Sequence, residues 1–175
     1  MKTKTVILLT ALVLITSISF AQAPLKEYKA GHIFYISLPE YMSKTAGLNS
    51  SSTIEYKNVV KDVYGFVIED NKEILTLAEL KYSSINEFYE DFIKDFLDGE
   101  KNKTVGTPKF QKKGDISFAE ADVTYYDEEV KGDIYYLVGI VETKASYYKV
   151  LSWCAAENKA KFKADFQKIL YSLRD

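Results

Sequence analysis

The chain has 175 residues, 47% hydrophobic and 27% charged, with 23 basic against 25 acidic side chains. Such a balance gives no cationic field to release counterions from nucleic acid and little attraction to an anionic membrane, so neither is an expected partner. One cysteine, Cys154, excludes an intramolecular disulfide and a paired-cysteine metal site.

The N-terminus reads as a targeting segment. Lys2 and Lys4 precede an apolar run from Val6 to Phe20 that closes on the small residues Ser17, Ser19 and Ala21, the build of a secretory signal peptide. The run falls short of the roughly 20 apolar residues a transmembrane helix needs, and Thr10, Thr16 and Ser17 dilute it. Cleavage after Ala21 releases Gln22, and cleavage after Ala23 releases Pro24; the first is favoured because proline fits poorly beside a bond held extended in a peptidase. The expectation is a signal peptide over 1–21 and one domain over 22–175, extracytoplasmic (periplasmic or secreted), with no membrane span after cleavage.

Two β-rich segments, Lys26–Ala30 and His32–Leu38, flank Gly31, and Pro39 ends the second. Glu40–Asn49 reads as an irregular or short helical link before the turn Ser50-Ser51-Ser52. Thr53–Val60 and Val63–Glu69 read as strands around a tight reversal at Lys61-Asp62, with Tyr64, Phe66 and Ile68 on one face. Asn71 can cap a short helix through Leu80, although the same residues could continue a strand. Ser84 and Glu87 then make a capping-box pattern. Behind it, Ile85, Phe88, Tyr89, Phe92, Ile93, Phe96 and Leu97 recur at helical spacing and predict an amphipathic helix ending near Gly99. Its ring-rich stripe needs a broad apolar partner, for which a sheet face is suited.

The Lys-rich stretch Lys101–Lys113 reads as a solvated loop and strand edge. Three long strands follow, Ile116–Tyr126, Ile134–Glu142 and Ala145–Cys154. The first alternates Ala119, Ala121, Val123 and Tyr125 with polar residues, so one face is expected to be exposed; the second is apolar on both parities and is therefore central. Glu157–Leu173 closes the chain as a second amphipathic helix, with Phe162, Phe166, Ile169 and Leu170 at helical spacing. Short connections indicate an antiparallel meander. The predicted fold is α+β: a central antiparallel β-sheet with amphipathic helices on its opposite faces, an α/β/α layering.

Phe34-Tyr35-Ile36-Ser37-Leu38-Pro39 followed by Tyr41, together with a closing helix Phe162-x3-Phe166-x2-Ile169-Leu170-x-Ser172 entered from a long strand, resembles the PsbP-like family. The resemblance implies helices packed around a central antiparallel sheet and accessory or assembly roles rather than catalysis. Tyr41 stands where tryptophan is frequent in that family, and the metal-contacting positions of its photosynthetic members have no match, so the resemblance carries over no site residue.

No nucleophile elbow, zinc-protease helix or phosphate-cradling loop is present. Cys154, among Leu151, Trp153 and Ala155, reads as a buried thiol; as a nucleophile its only candidate partner is His32, which itself reads as a structural or surface residue. Glu69-Asp70 with Asn71, and Asp127-Glu128-Glu129, could offer oxygen ligands to calcium, but neither has the spacing of a calcium loop. No cofactor or metal is expected. Tyrosine pairs at 125–126, 135–136 and 147–148 recur on three consecutive strands among 14 tyrosines. Their bland reading is cross-strand packing. Their functional reading is an amphipathic platform for a protein, peptide or glycan, with Tyr126, Tyr136 and Tyr148 as the binding set and Tyr125, Tyr135 and Tyr147 as the opposite parity. The expected function is a non-enzymatic accessory or binding module; the alternative is a hydrolase or small-ligand carrier whose site is built from dispersed residues.

Overall fold

The computed structural model describes residues 23–175, so the predicted signal peptide over 1–21 lies outside the described residues. Strands β1 (Leu25–Ala30) and β2 (Phe34–Pro39) pair as a hairpin. Gly31 and His32 both adopt positive φ, 55° and 62°, at the centre of a turn that Ile33 N closes by donating to Ala30 O at 2.9 Å, within a three-residue connection. That geometry places His32 at an exposed tip.

The main sheet begins with a short strand inside the predicted irregular link, β3 (Ser43–Thr45), then β4 (Ile54–Asn58) and β5 (Val63–Asn71). Asn71 resolves the helix-or-strand ambiguity by doing both: it ends β5, and its side chain accepts hydrogen bonds from the amides of Glu73 and Ile74, capping α1 (Lys72–Leu77). Helix α2 (Ile85–Asp95) starts as predicted, with Ser84 Oγ accepting from Glu87 N. The capping box does not close on Ser84; the Glu87 carboxylate accepts from Ser83 N and Oγ instead, both at 2.7 Å. The helix also ends earlier than Gly99, because Phe96 is extended and Leu97 takes a left-handed φ of 55°.

The Lys-rich stretch forms two strands, β6 (Lys101–Val105) and β7 (Lys109–Lys113), which pair with successive halves of β8 (Ile116–Asp127). Every residue of β7 is exposed, so no buried alternation announced it, and lysines on a sheet edge discourage strand addition. Next come β9 (Gly132–Glu142), β10 (Ser146–Ala155) and, after a 3-10 turn, α3 (Lys159–Ser172).

All pairings are antiparallel, in the order β3-β4-β5-β10-β9-β8-β6. The sheet is not a simple meander: the chain leaves β5 through α1, α2, β6 and β7, and β10 returns to pair with β5. On one face α3 inserts Phe162, Phe166, Ile169 and Leu170, all at most 3% exposed, against Tyr135, Leu137, Val141 and Tyr148. Burying each such side chain stabilises by roughly 1.5–3 kcal/mol. The β1–β2 hairpin covers the rest of this face, with Phe34 edge-on to Tyr148 at 4.9 Å. On the other face α2 seats Ile85, Phe88 and Tyr89 on Ala119, Ala121, Ile140 and Tyr147. Helices therefore cover opposite faces, as expected.

One predicted exposure is reversed. The Glu120 face of β8 is covered by α3, and Glu120 is 4% exposed. Its carboxylate accepts from Gln167 Nε2 at 2.8 Å and from the Tyr171 hydroxyl at 2.9 Å, while Asp122 accepts from Lys163 and Tyr135. Polar residues along α3 thus satisfy the polar parity of β8, which alternation alone cannot distinguish from exposure to water.

Candidate functional site

Register decides where each tyrosine of the three pairs points. Tyr126 lies opposite Asp133 and Tyr136 opposite Trp153, so side-chain parity inverts between β8 and β9 and again between β9 and β10. The predicted set is therefore split. Tyr126 and Tyr148 point to the α3 face, and Tyr136 points to the α2 face with Tyr125 and Tyr147. Tyr148 is 0% exposed and belongs to the core beneath the β1–β2 hairpin. Tyr126 is partly exposed near the end of β8, and Tyr136 alone of the three joins an aromatic surface.

That surface is a row along one register line of the sheet. Tyr64 on β5, Trp153 on β10 and Tyr136 on β9 are directly opposite one another. Their rings stack at 5.6 Å and 5.2 Å between centroids, with interplanar angles of 21° and 23°. Tyr125 extends the row at 6.2 Å from Tyr136; Phe66 and Phe96 support it edge-on, at 5.7 Å from Trp153 and 5.4 Å from Tyr136. Tyr64, Trp153 and Tyr136 remain partly exposed because α2 stops at Asp95, short of this end of the sheet. The turns at the same end carry Val59, Val60 and Val130 at 65%, 96% and 67% exposure. Sequence reading singled out Tyr136 but missed Tyr64 and Trp153 as its neighbours, since the β9–β10 register sets Trp153 beside Tyr136 and only the β5–β10 pairing brings Tyr64 to Trp153.

Burial raises the pKa of the Tyr136 hydroxyl, helped by Tyr125, Asp127 and Glu100, and burial followed by Asp62 raises that of Tyr64. The row consequently presents neutral phenols at every physiological pH. Asp127 is occupied internally: its carboxylate accepts from Glu129 N, Val130 N and the Tyr125 hydroxyl. The other acidic spot is used the same way, with Asp70 ion-paired to Lys149 at 2.8 Å and Glu69 accepting from Ser146 Oγ. No group of three metal-ligating side chains occurs among the described residues.

Cys154 is 1% exposed, and burial, followed by the charge of Asp62, pushes its thiol up to about 12. A thiol held protonated is a poor nucleophile. His32, at the hairpin tip, is exposed and lies within neither hollow that flanks α1. Those two hollows hold about 290 and 460 Å³.

No family model matches the chain, and no curated protein matches its sequence. Solved structures do match its fold. Cyanobacterial PsbP (CyanoP) from Synechocystis superposes with a TM-score of 0.60 at 9% identity, covering 89% of this chain and 95% of that one. The Ran-binding protein Mog1p of Saccharomyces cerevisiae gives 0.59 at 9% identity, over 87% and 95%. LpqN of Mycobacterium tuberculosis, involved in cell envelope biogenesis, gives 0.59 at 7% identity, over 86% and 89%. The chain has the PsbP-like fold. At these identities the likeness establishes architecture and no site.

Proposed function

We propose that this chain is an extracytoplasmic, non-enzymatic accessory or binding module that docks a partner on the Tyr64–Trp153–Tyr136 row. The observation that carries the reading is the row itself: three stacked, partly exposed rings, on the part of the sheet face that no helix covers. Tyrosine and tryptophan are enriched at interface hot spots because they join large contact area to a polar tip. The same fold is carried by Mog1p, a Ran-binding protein, and by LpqN, involved in cell envelope biogenesis, which supports a binding or accessory reading. The enclosed Cys154 and the hairpin-tip His32 weigh against the hydrolase alternative. The apolar run after Lys2 and Lys4 supports export.

The test is capture from an extracytoplasmic extract by the wild type and by Tyr64→Ser/Tyr136→Ser, with Tyr126→Ser as the control on the opposite face. Hot-spot rings are worth roughly 2 kcal/mol or more each, so the double variant should lose a partner that the control retains, while circular dichroism stays native. Equal capture by all three removes the row from the proposal. Mass spectrometry of the native protein should find a mature terminus at Gln22 or Pro24; intact Met1 would remove the export assignment.

A further inference from the structure

Helix α1 has no buried residue, and Ile74, Leu77 and Leu80 are 66%, 84% and 48% exposed. Between it and α2 lies the hollow of about 460 Å³, with apolar walls from Leu75, Leu80, Phe88, Phe92 and Phe96. At its base Lys149 pairs with Asp70 at 2.8 Å and lies over the Phe92 ring at 5.6 Å, so the cation lining the hollow is already neutralised. The rim is different. Asp91 and Asp95 line the hollow, and both are exposed.

These two belong to a run of six carboxylates from Glu87 to Glu100 that contains one lysine, Lys94. Among the described residues none of the six is in an ion pair. Asp95 also ends α2, where the helix dipole disfavours negative charge. Asp91 accepts from the neutral Tyr82 hydroxyl at 2.6 Å, so among the described residues the apolar groove is edged by negative charge that no cation pairs, and at Asp95 that charge weakens the helix carrying it.

We propose that this groove binds a basic amphipathic segment of a protein partner, with apolar side chains entering between α1 and α2 and Lys or Arg side chains meeting Asp91 and Asp95. Helix-in-groove recognition uses apolar anchors at successive turns, and charge complementarity sets register and rejects acidic competitors. The inference rests on the module reading and names the partner's chemistry at a second part of the same sheet face. Phe96 connects the two parts, because it lines the groove and packs edge-on against Tyr136.

The probe is a synthetic helical peptide of leucines at i, i+3, i+4 and i+7 with lysines elsewhere, titrated calorimetrically into the purified protein beside its leucine–glutamate counterpart and a scrambled leucine–lysine peptide. The ordered lysine peptide should bind at least tenfold tighter than either. Asp91→Asn/Asp95→Asn and, separately, Leu80→Ser should each weaken it at least tenfold. Glu128→Gln/Glu129→Gln, which removes the same charge from the β8–β9 turn, should change it less than twofold. Equal binding of the ordered and scrambled peptides, or equal loss in the two charge-removal variants, overturns the groove assignment. Capture of a native partner that survives Asp91→Asn/Asp95→Asn but is lost in Tyr64→Ser/Tyr136→Ser overturns the groove and leaves the module reading standing, whereas no capture by the wild type defeats that reading itself.

Discussion

At Gly139 in β9, α3 approaches the sheet closely enough to be tested by a single methyl group. A Cβ at this position would stand 2.4 Å from Leu170 Cδ1, 2.9 Å from Cδ2 and 3.1 Å from Cγ, against about 3.5–4.0 Å for relaxed carbon contacts. Leu170 is 1% exposed and packed on all sides, so helix or strand must yield. Overpacking costs about 1–3 kcal/mol, and the lost freedom of glycine in the unfolded chain returns about 0.4–1 kcal/mol. Gly139→Ala is therefore expected to destabilise by about 1–2 kcal/mol, the middle of a range from about 0 to 2.6 kcal/mol. Leu170→Ala alone should cost about 2–5 kcal/mol through the cavity it leaves. The double variant should be less damaged than the sum by about 1 kcal/mol, because the new methyl enters the vacated space. Urea unfolding followed by Trp153, the single tryptophan, measures all three. Wild-type stability in Gly139→Ala, or additivity within about 0.3 kcal/mol, would show that α3 does not rest on β9 at this register.

Phe166→Ala should cost about 3–5 kcal/mol because the ring is 0% exposed, and Phe92→Ala should cost less because that ring is only partly buried; unchanged urea midpoints in both would refute the layering. Ser84→Ala removes the α2 cap and should cost about 1 kcal/mol, read as a fall in melting temperature. Backbone amides hold Glu55, Glu87 and Asp127 below their ordinary values, and at Asp122 burial pushes up but Lys163, Lys159 and Tyr135 pull down further. These depressed carboxylates stabilise the fold in full above their unfolded values of 4.5 and 3.8 and cease to do so as pH falls through the folded ones. A melting temperature that stays flat down to pH 2 contradicts that linkage. Cys154 should resist an aromatic disulfide reagent at pH 8 until urea unfolds the chain; rapid stoichiometric reaction of the native protein would show that the thiol is accessible.

Local chemistry was legible residue by residue. Two β-rich segments were legible on either side of Gly31, Ser84 announced a helix start while Asn71 left helix and strand open, and the Phe88–Phe92 and Phe162–Phe166 stripes announced two helices that need a sheet between them, because periodicity and capping act over a few residues. The same local character made Cys154 readable as an enclosed thiol. Pairing between strands distant in the chain was not legible. That β10 joins β5, that β6 and β7 share β8, and that Glu120 is sealed by Gln167 and Tyr171 depend on contacts between residues far apart in the chain.

The functional surface falls on that second side. Alternation showed that the two rings of each tyrosine pair face opposite ways, yet which ring shares a face with which depends on strand register, and a one-residue slip exchanges the faces. With Tyr126 opposite Asp133 and Tyr136 opposite Trp153, Tyr148 enters the core and Tyr136 joins Tyr64 and Trp153. By itself the sequence determined the two long amphipathic helices, the β-rich segments around Gly31 and the supply of aromatic rings; only the tertiary structure decided which rings meet, because a side chain's direction belongs to its own strand and its neighbours belong to the pairing of the whole sheet.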